Sequence, residues 1–330
     1  MRLRIRLSQP LLAAAMLGLA ISAITNTTLA QSYPSRPIRL IVAYPPGGGS
    51  DTLARIVSPR LVELVGQQII IDNRPGAAGN IATELAARAQ PDGYTLLWGF
   101  STPLVVNPSL YKNLPFDPQK DFAPILLLGS VQFILVVHRS VQANSVQELI
   151  ALVKSKPGQF PYSSAGTGSP NHLAAELFKG RAGLDIVHVP YKGGGPAAIA
   201  VLSGEVKMLF GSFASSLPHV KTGSLKALAV TGPRRSSEAP DVPTMQESGF
   251  PGFDVGAWYG VLAPAGTPKA IVTRLTRELL KILSMPDVQE ALKREGLQQT
   301  GGTPEEFAAY IKSETTLWAK VIKDAGIKPE

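Results

Sequence analysis

The sequence contains no cysteine among its 330 residues. Disulfide bonds, thiolate catalysis, cysteine-rich metal sites and a lipid anchor on an N-terminal cysteine are therefore excluded. Charged residues are also scarce, at 17% of the chain, while hydrophobic residues reach 45%. This composition is typical of a folded protein and excludes disorder as the main state of the chain.

Long hydrophobic runs are missing as well. The longest apolar run, over residues 11–24, is too short to span a bilayer comfortably. Three arginines precede it among the first six residues, and small residues ending at Ala30 follow it. This pattern predicts a secretory signal peptide over residues 1–30, cleaved near Ala30, and a mature chain in the bacterial periplasm. The alternative interpretation is a short buried helix.

The charge balance gives little support to nucleic-acid binding. The formal net charge of +8 falls to +5 once the three leader arginines are set aside, and the remaining basic residues are interspersed with acidic ones. A basic stripe or an aromatic-interleaved groove is missing, so we expect no nucleic-acid partner. Histidines number four and form no metal-binding motif, so we expect neither a metal nor a cofactor.

The order of apolar runs and glycine-proline breaks predicts an α/β fold. Residues 39–99 follow a β-α-β-α-β pattern, and a second alternating series follows over residues 125–230. We expect two lobes, each a mainly parallel sheet flanked by helices, with C-terminal helices padding the first. The chain then crosses between the lobes near residues 130 and 255. In the second series, strands are expected near 125–128 and 133–138 and a helix near 217–222.

Four loops rich in small residues follow predicted strands. They span residues 45–51, 73–80, 164–171 and 191–196. Ligands of open α/β sheets bind beyond the carboxyl ends of the strands, where glycines expose backbone N–H groups and helix N-termini add positive charge. The four loops therefore favour an anion such as a carboxylate, although each loop taken alone could be an ordinary turn.

Evidence for catalysis in the sequence is thin. Gly166 and Gly168 begin a dinucleotide-like spacing, but no third glycine completes it. Thr167 and Ser169 are interpreted as hydroxyl donors to a ligand, or as residues that cap the next helix. His172 could reach a cleft or pack against its own helix. A triad of Asp51, His172 and Ser212 can be imagined, but nothing in the spacing requires it, so a hydrolase stays a weak alternative.

An ordered set of motifs resembles one known family. The motifs are residues 33–38, 44–51, 73–80, 91–94, 107–111, 162–169 with His172, 189–196, 225–231 and 242–244. With these motifs in order, the mature chain resembles the Bug (TctC-type) substrate-binding proteins of tripartite tricarboxylate transporters.

The resemblance implies a non-enzymatic periplasmic binding protein with a type II-like two-domain fold. Domain 1 would comprise residues 31–130 plus 256–330, and domain 2 residues 131–255. The protein would be a monomer that closes on a small carboxylate, holding it through backbone amides, hydroxyls and water. Membrane transporter subunits are the implied partners. A ligand sensor that signals to another protein is the alternative.

The ligand-binding residues follow from the matched motifs together with the loops described above. The proposed set is Tyr44, Pro46, Gly47, Gly48, Ala78, Gly79, Ser101, Thr167, Ser169, His172, Tyr191, Lys192 and Ser212.

Two departures from the family pattern bear on the ligand. Gly211 and Ser212 stand where many relatives carry Asp or Asn, which argues against recognition of an amino group. Trp98 and Phe100 replace smaller residues, and strand alternation places them on the same face as Leu96. If that face meets the cleft, an aromatic or longer apolar carboxylate would fit; otherwise both rings pack under a helix.

Overall fold

The computed structural model describes residues 33–47, 49–191, 193–324 and 326–327. The predicted signal peptide, Gly48 and Lys192 lie outside the described residues. All the elements below belong to one compact unit, Arg36–Glu330. Among the described residues, no helix combines the length and the apolar character needed to cross a membrane.

Within the described ranges, ten strands form one continuous mixed sheet. Its main path runs in the order β2-β1-β3-β9-β4-β7-β5-β6, with β8 and β10 paired to β4. The strands are β1 (Ile38–Val42), β2 (Ile69–Asn73), β3 (Thr95–Phe100), β4 (Phe122–His138), β5 (Phe160–Ser164), β6 (Ile186–Pro190), β7 (Met208–Ser212), β8 (Leu225–Val230), β9 (Gly256–Pro264) and β10 (Leu297–Gln299).

Strand β4 divides the sheet into two halves. Its first part, up to Gln132, pairs with β9, and from Phe133 onward it pairs with β7 and β8. We call β1–β3, β9, β10 and the first part of β4 the first half, and β5–β8 with the rest of β4 the second half. The chain leaves the first half along β4 and returns to it at Gly256, where β9 begins.

Among the strands listed above, parallel ladders join the three outer strands of each half. Strands β1, β2 and β3 run parallel, as do β5, β6 and β7, whereas β4 and β9 run antiparallel to their neighbours. The sheet is therefore more mixed than the expected mainly parallel sheets, because the two crossing strands must run in opposite directions to carry the chain out and back.

The expectation of two strands over 125–128 and 133–138 is wrong, since β4 runs through both without a break. Gly129 and Ser130 look like a turn in the sequence, yet they pair with β9 on one side and with β10 on the other. Tertiary pairing therefore overrides a local break signal.

Helices pack against the strands of both halves of the sheet. They are α1 (Gly49–Val65), α2 (Asn80–Ala87), α3 (Asn107–Leu110), α4 (Val146–Lys154), α5 (Pro170–Ala182), α6 (Gly194–Leu202), α7 (Phe213–Lys221), α8 (Lys269–Leu283), α9 (Pro286–Arg294) and α10 (Pro304–Asp324), with a 3₁₀ turn at Ala77–Gly79 and a π-helical turn at Thr102–Val106.

Helix α7 begins four residues before the expected start at residue 217. Ser212 precedes its first turn, and the Ser212 hydroxyl accepts a hydrogen bond from the Ser215 N–H. That bond satisfies one of the backbone donors that a helix N-terminus leaves unpaired, which explains the earlier start.

The C-terminal helices pack on the first half, as expected. Helices α8 and α10 both contact β4, and the Phe307 ring of α10 meets the Trp258 ring of β9 edge-on, with centroids 5.4 Å apart. Both rings are at most 2% exposed, so this contact belongs to the core beneath the sheet. Helix α10 also contacts α5 of the second half.

Candidate functional site

A cavity of about 530 Å³ lies where β4 passes from one half of the sheet to the other. Both halves contribute to its lining. The first half supplies Tyr44, Pro45, Gly49, Ser50, Ala78, Phe100, Thr102, Val131, Ala257 and Tyr259. The second half supplies Phe133, the loop 165–171, Gly193, Gly194, Leu209, Gly211, Ser212 and Ser215.

Four helix N-termini open onto this cavity. Residues of the first turn, or residues directly before it, line the cavity at α1, α5, α6 and α7. Each N-terminus carries roughly half a positive charge, and its first N–H groups have no partner within the helix. Among the described lining residues, none has a charged side chain. The described part of the lining therefore presents positive potential through the backbone and not through charged side chains.

The loop after β1 is held by Asp51, in the first turn of α1. The buried carboxylate accepts hydrogen bonds from Arg55 Nε at 2.7 Å, from Gly47 N at 2.9 Å and from Asn73 Nδ2 at 3.0 Å. The bond from Arg55 is the largest influence that lowers the pKa of Asp51, to about 2. Since its hydrogen bonds are made within the protein, this carboxylate shapes the loop and leaves the N–H groups of α1 to a ligand.

The loop after β2 adopts an uncommon backbone conformation. Ala77 and Ala78 have φ angles of 46° and 51°, in the left-handed region that L-residues other than glycine seldom enter. The Ala78 carbonyl accepts a hydrogen bond from Asn107 Nδ2 at 3.2 Å, which fixes the loop from the side of α3. The strained turn brings Ala78 into the cavity lining.

Three aromatic rings of the first half meet at the cavity. The Phe100 ring meets the Tyr44 ring edge-on, with centroids 5.0 Å apart, and the Tyr259 ring at 5.1 Å with a 45° tilt. Burial raises the pKa of both tyrosine hydroxyls, so both stay neutral. Trp98 is 1% exposed and does not line the cavity. Phe100 therefore faces the cavity, as one interpretation of the pair expected, whereas Trp98 is packed in the core, as the other expected.

The glycine-rich loop of the second half is held by its own hydroxyl groups. The Ser169 hydroxyl donates to the Gly166 carbonyl at 2.5 Å, and Ser164 Oγ accepts from the Gly166 N–H at 3.1 Å. Ser169 precedes the first residue of α5, as expected, but its side chain makes no capping bond. Ser169 therefore closes the loop instead of capping the helix, while Thr167 is exposed at the cavity.

His172 lies behind this loop and not in the cavity lining. It is 4% exposed, its Nδ1 accepts from the Gly168 N–H at 3.1 Å, and its ring stacks on that of His188 at 3.9 Å. Burial lowers the pKa of both histidines to about 4. A neutral imidazole that accepts a backbone hydrogen bond supports the loop, so the geometry favours the helix-packing interpretation.

The imagined triad does not assemble. The hydrogen-bonding partners of Asp51 lie in the first half, His172 bonds to Gly168, and the Ser212 hydroxyl bonds to Ser215 at 2.7 Å. Within the described ranges, no group of His, Asp and Glu side chains could hold a metal ion.

The structure brings five of the predicted site residues together around the cavity. These are Tyr44, Ala78, Thr167, Ser169 and Ser212.

Other predicted residues do not line the cavity, each for a local reason. Pro46 and Gly47 are exposed, and the Gly47 N–H is taken by Asp51. Gly79 is buried against Pro103, and Ser101 is 1% exposed in the core. The Tyr191 hydroxyl turns away to donate to Glu205 at 2.8 Å.

Several lining residues carry no recognisable signal in the sequence. Tyr259 and Phe133 come from strands far along the chain from the glycine-rich loops, so no local pattern connects them to the site. Ser50 also lines the cavity, but its hydroxyl oxygen is buried and has no hydrogen-bond partner among the described residues.

Known proteins resemble this chain along most of its length. A family model described as tripartite tricarboxylate transporter family receptor (TctC) matches residues 53–327. Protein BugT of Bordetella pertussis is 37% identical over 319 residues, which cover 96% of this chain and 98% of BugT. A protein from the tcbD-tcbE intergenic region of Pseudomonas sp. strain P51 is 40% identical over 309 residues, 92% of each chain.

Solved structures agree with this relationship. Rpa4515 of R. palustris, solved with adipate, has a TM-score of 0.82 at 35% identity, covering 90% of this chain and 100% of Rpa4515. MatC of Rhodopseudomonas palustris, with bound malate, has a TM-score of 0.76 at 31% identity, covering 88% and 100%. The periplasmic binding protein BugD has a TM-score of 0.78 at 34% identity, covering 90% and 100%. The predicted α/β fold of a two-domain periplasmic binding protein is therefore confirmed.

Proposed function

The chain belongs to the tripartite tricarboxylate transporter receptor family, and from this premise we propose that it captures a small carboxylate in the cavity described above. The observation that carries the proposal is the convergence of four helix N-termini on a cavity whose described lining has no charged side chain. Backbone N–H groups and hydroxyls would bind the carboxylate, because they are the polar donors that this lining offers.

The similar structures support the same class of ligand. Rpa4515 was solved with adipate and MatC with malate. A cavity of about 530 Å³ lies within the usual range for small-molecule sites and accommodates compounds of this size. We propose that the receptor delivers its ligand to transporter subunits in the membrane. The geometry gives a hydrolase no support, since His172 is turned into the protein.

The proposed role requires export and closure. Residues 1–30 would be removed as a signal peptide, which the intact mass of the exported protein tests. The domains 31–130 plus 256–330 and 131–255 would close as a monomer on the ligand about the crossings in β4 and before β9. Small-angle scattering should then report a smaller radius of gyration when a verified ligand is added.

The ligand itself can be found without prior assumption. Small molecules released by denaturing the purified protein are identified by mass spectrometry, and their affinity is measured by calorimetry. Each carboxylate that binds is compared with its amide at low and at high salt. We expect the amide to bind at least about fivefold more weakly, because the charge-assisted part of the hydrogen bonds is lost. Salt should change this preference little, since fixed N–H groups in a closed cleft are poorly screened.

Two variants distinguish backbone capture from a salt bridge. Arg74 is exposed and its Nε donates to Asp72 at 2.9 Å, so Arg74→Met should keep the affinity. Lys192→Met tests the one predicted cation that lies outside the described residues. Loss of binding in a folded Lys192→Met protein, or a carboxylate preference erased by salt, would contradict capture by backbone groups.

A further inference from the structure

The floor of the cavity is a continuous apolar surface across three strands. Phe100 of β3 lies opposite Tyr259 of β9, and Ala257, two residues before Tyr259, lies opposite Val131 of β4. Phe133 follows Val131 on the same face, because side chains alternate along a strand. All five side chains line the cavity.

This floor differs in polarity from the mouth of the cavity, by which we mean the loops that carry the four helix N-termini. The helix N-termini lie in the loops that follow the strands, whereas the floor is built by residues within the strands. Among the five floor residues, the polar atom is the Tyr259 hydroxyl, which burial keeps neutral by raising its pKa. A charged group pushed onto this surface would lose its water and gain no charge-assisted partner.

Most serine hydroxyl groups at the mouth of the cavity already take part in hydrogen bonds within the protein. Ser169 donates to the Gly166 carbonyl, and the hydroxyls of Ser212 and Ser215 bond to each other at 2.7 Å. Thr167 is the contrasting case, since it is exposed at the cavity. The mouth therefore offers hydroxyl and backbone donors at the helix N-termini for a carboxylate, above an apolar floor.

From this asymmetry we propose, building on the carboxylate-binding function above, that the cavity selects monocarboxylates with an aromatic body over aliphatic dicarboxylates. The carboxylate sits at the helix N-termini, and the ring lies on the floor against Phe100 and Phe133. Aromatic rings pack edge-on or offset against such side chains, as Tyr44 and Phe100 already do at 5.0 Å.

Three ligands of similar length test the selection by calorimetry. Adipate has a carboxylate at each end, hexanoate replaces the second carboxylate by a methyl group, and 3-phenylpropanoate replaces it by a ring. We expect 3-phenylpropanoate to bind at least about tenfold more tightly than adipate, with hexanoate between them, because the apolar floor rewards burial and penalises charge.

Phe100→Leu tests the floor directly. The variant keeps the position apolar but removes the ring, so the affinity for 3-phenylpropanoate should fall about tenfold while that for hexanoate changes less than about twofold. Phe116→Leu is the matched control, because Phe116 is equally buried, at 6% exposed against 8%, and does not line the cavity. Melting temperatures of both variants report any general loss of stability.

The outcomes separate the two proposals. Tighter binding of adipate than of 3-phenylpropanoate would overturn the aromatic selection and leave carboxylate capture standing. An equal loss for both monocarboxylates in Phe100→Leu would also overturn it, because the ring would then have no specific role. Failure of all three ligands, together with release of only uncharged molecules from the denatured protein, would overturn carboxylate capture itself.

Discussion

The two halves of the molecule support their sides of the cavity by different chemistry. In the first half, a buried carboxylate, Asp51, fixes the loop after β1, and two alanines in left-handed conformation form the loop after β2. In the second half, hydroxyl groups and the buried His172 hold the loop after β5, and glycines occupy its left-handed positions. Because different groups hold them, the two cavity walls should lose stability in different ranges of pH. They should also respond in opposite directions to exchanges between alanine and glycine.

The largest expected effect is acid destabilisation of the second half. Burial lowers the pKa of His172 and His188 to about 4, below the usual value of 6.5. Their stabilising contribution is complete above pH 6.5 and is lost as the pH falls towards 4, because protonation then favours the unfolded chain. We expect a loss of about 3 kcal/mol for the pair, discounted because His188 is only half-buried.

Denaturant titrations at pH 7.5, 5.5 and 4.5 measure this loss. The groups around the pair are Tyr162, Glu176 and Lys179, of which Glu176 accepts a hydrogen bond from Tyr162. His172→Gln should flatten the pH dependence over this range. The same slope in the variant and in the unchanged protein would assign the acid sensitivity to other groups.

The corresponding effect in the first half occurs at lower pH. The pKa of Asp51 is lowered to about 2, so its contribution is present above pH 3.8 and is lost as the pH falls towards 2. Asp51→Ala should cost about 2.5 kcal/mol at pH 7, because the donors that it satisfies lose their charged partner.

The free energy of unfolding of Asp51→Ala is best compared with that of Asp287→Ala. Asp287 pairs with Arg60 at 2.7 Å but its side chain is 57% exposed, so its removal should cost much less than the removal of Asp51. Equal losses in the two variants would mean that the Asp51 network does not hold the loop.

A smaller effect is expected from packing at Gly211, which lines the second half of the cavity. A Cβ at this position would lie 2.0 Å from the Ser216 hydroxyl oxygen. Gly211→Ala should therefore destabilise the protein by about 2 kcal/mol, the usual cost of overpacking. Adding Ser216→Ala should restore part of the loss, because the atom in conflict is removed.

Gly180→Ala provides the matched control for this substitution. Gly180 lies inside α5, and a methyl group added there would meet no atom within 4 Å among the described residues. Its replacement should raise the melting temperature, since alanine is favoured over glycine in a helix by about 1 kcal/mol. If Gly211→Ala also raised it, the close contact with Ser216 would not restrict this site.

Local sequence signals were sufficient for the order of most strands and helices and for the position of the glycine-rich loops, but they did not predict strand β10 or the short helix α3. Glycine and proline interrupt the apolar runs at the strand ends, so the loops around residues 47 and 166 could be predicted. Strand β4 could not, because Gly129 is held in the sheet by pairing with β9 and β10, which no local window contains.

Which side chains face the cavity was harder to predict than where the loops lie. Alternation placed Trp98 and Phe100 on one face, but Trp98 lies deeper in the core and Phe100 lies opposite Tyr259 at the strand end. His172 directly follows the glycine-rich loop, yet its position in the first turn of α5 directs it behind that loop. Tyr259 could not be connected to the site, because its strand is placed there by the return of the chain.

The smallest expected effect tests the contrast between the alanines and the glycines of the two loops. Ala78 has a φ of 51°, and Gly168 has a φ of 76° in the corresponding loop of the second half. Ala78→Gly should stabilise the protein by about 0.5 kcal/mol, because relief of the left-handed conformation slightly exceeds the added entropy of the unfolded chain. Gly168→Ala should do the opposite and cost more, since its Cβ would also lie 2.7 Å from Leu110 Cδ1. Denaturant midpoints of the two single variants, each compared with the unchanged protein, measure both effects. A destabilised Ala78→Gly protein would mean that packing of the alanine methyl group and the lower entropy of the unfolded chain with alanine together outweigh the strain of the left-handed backbone.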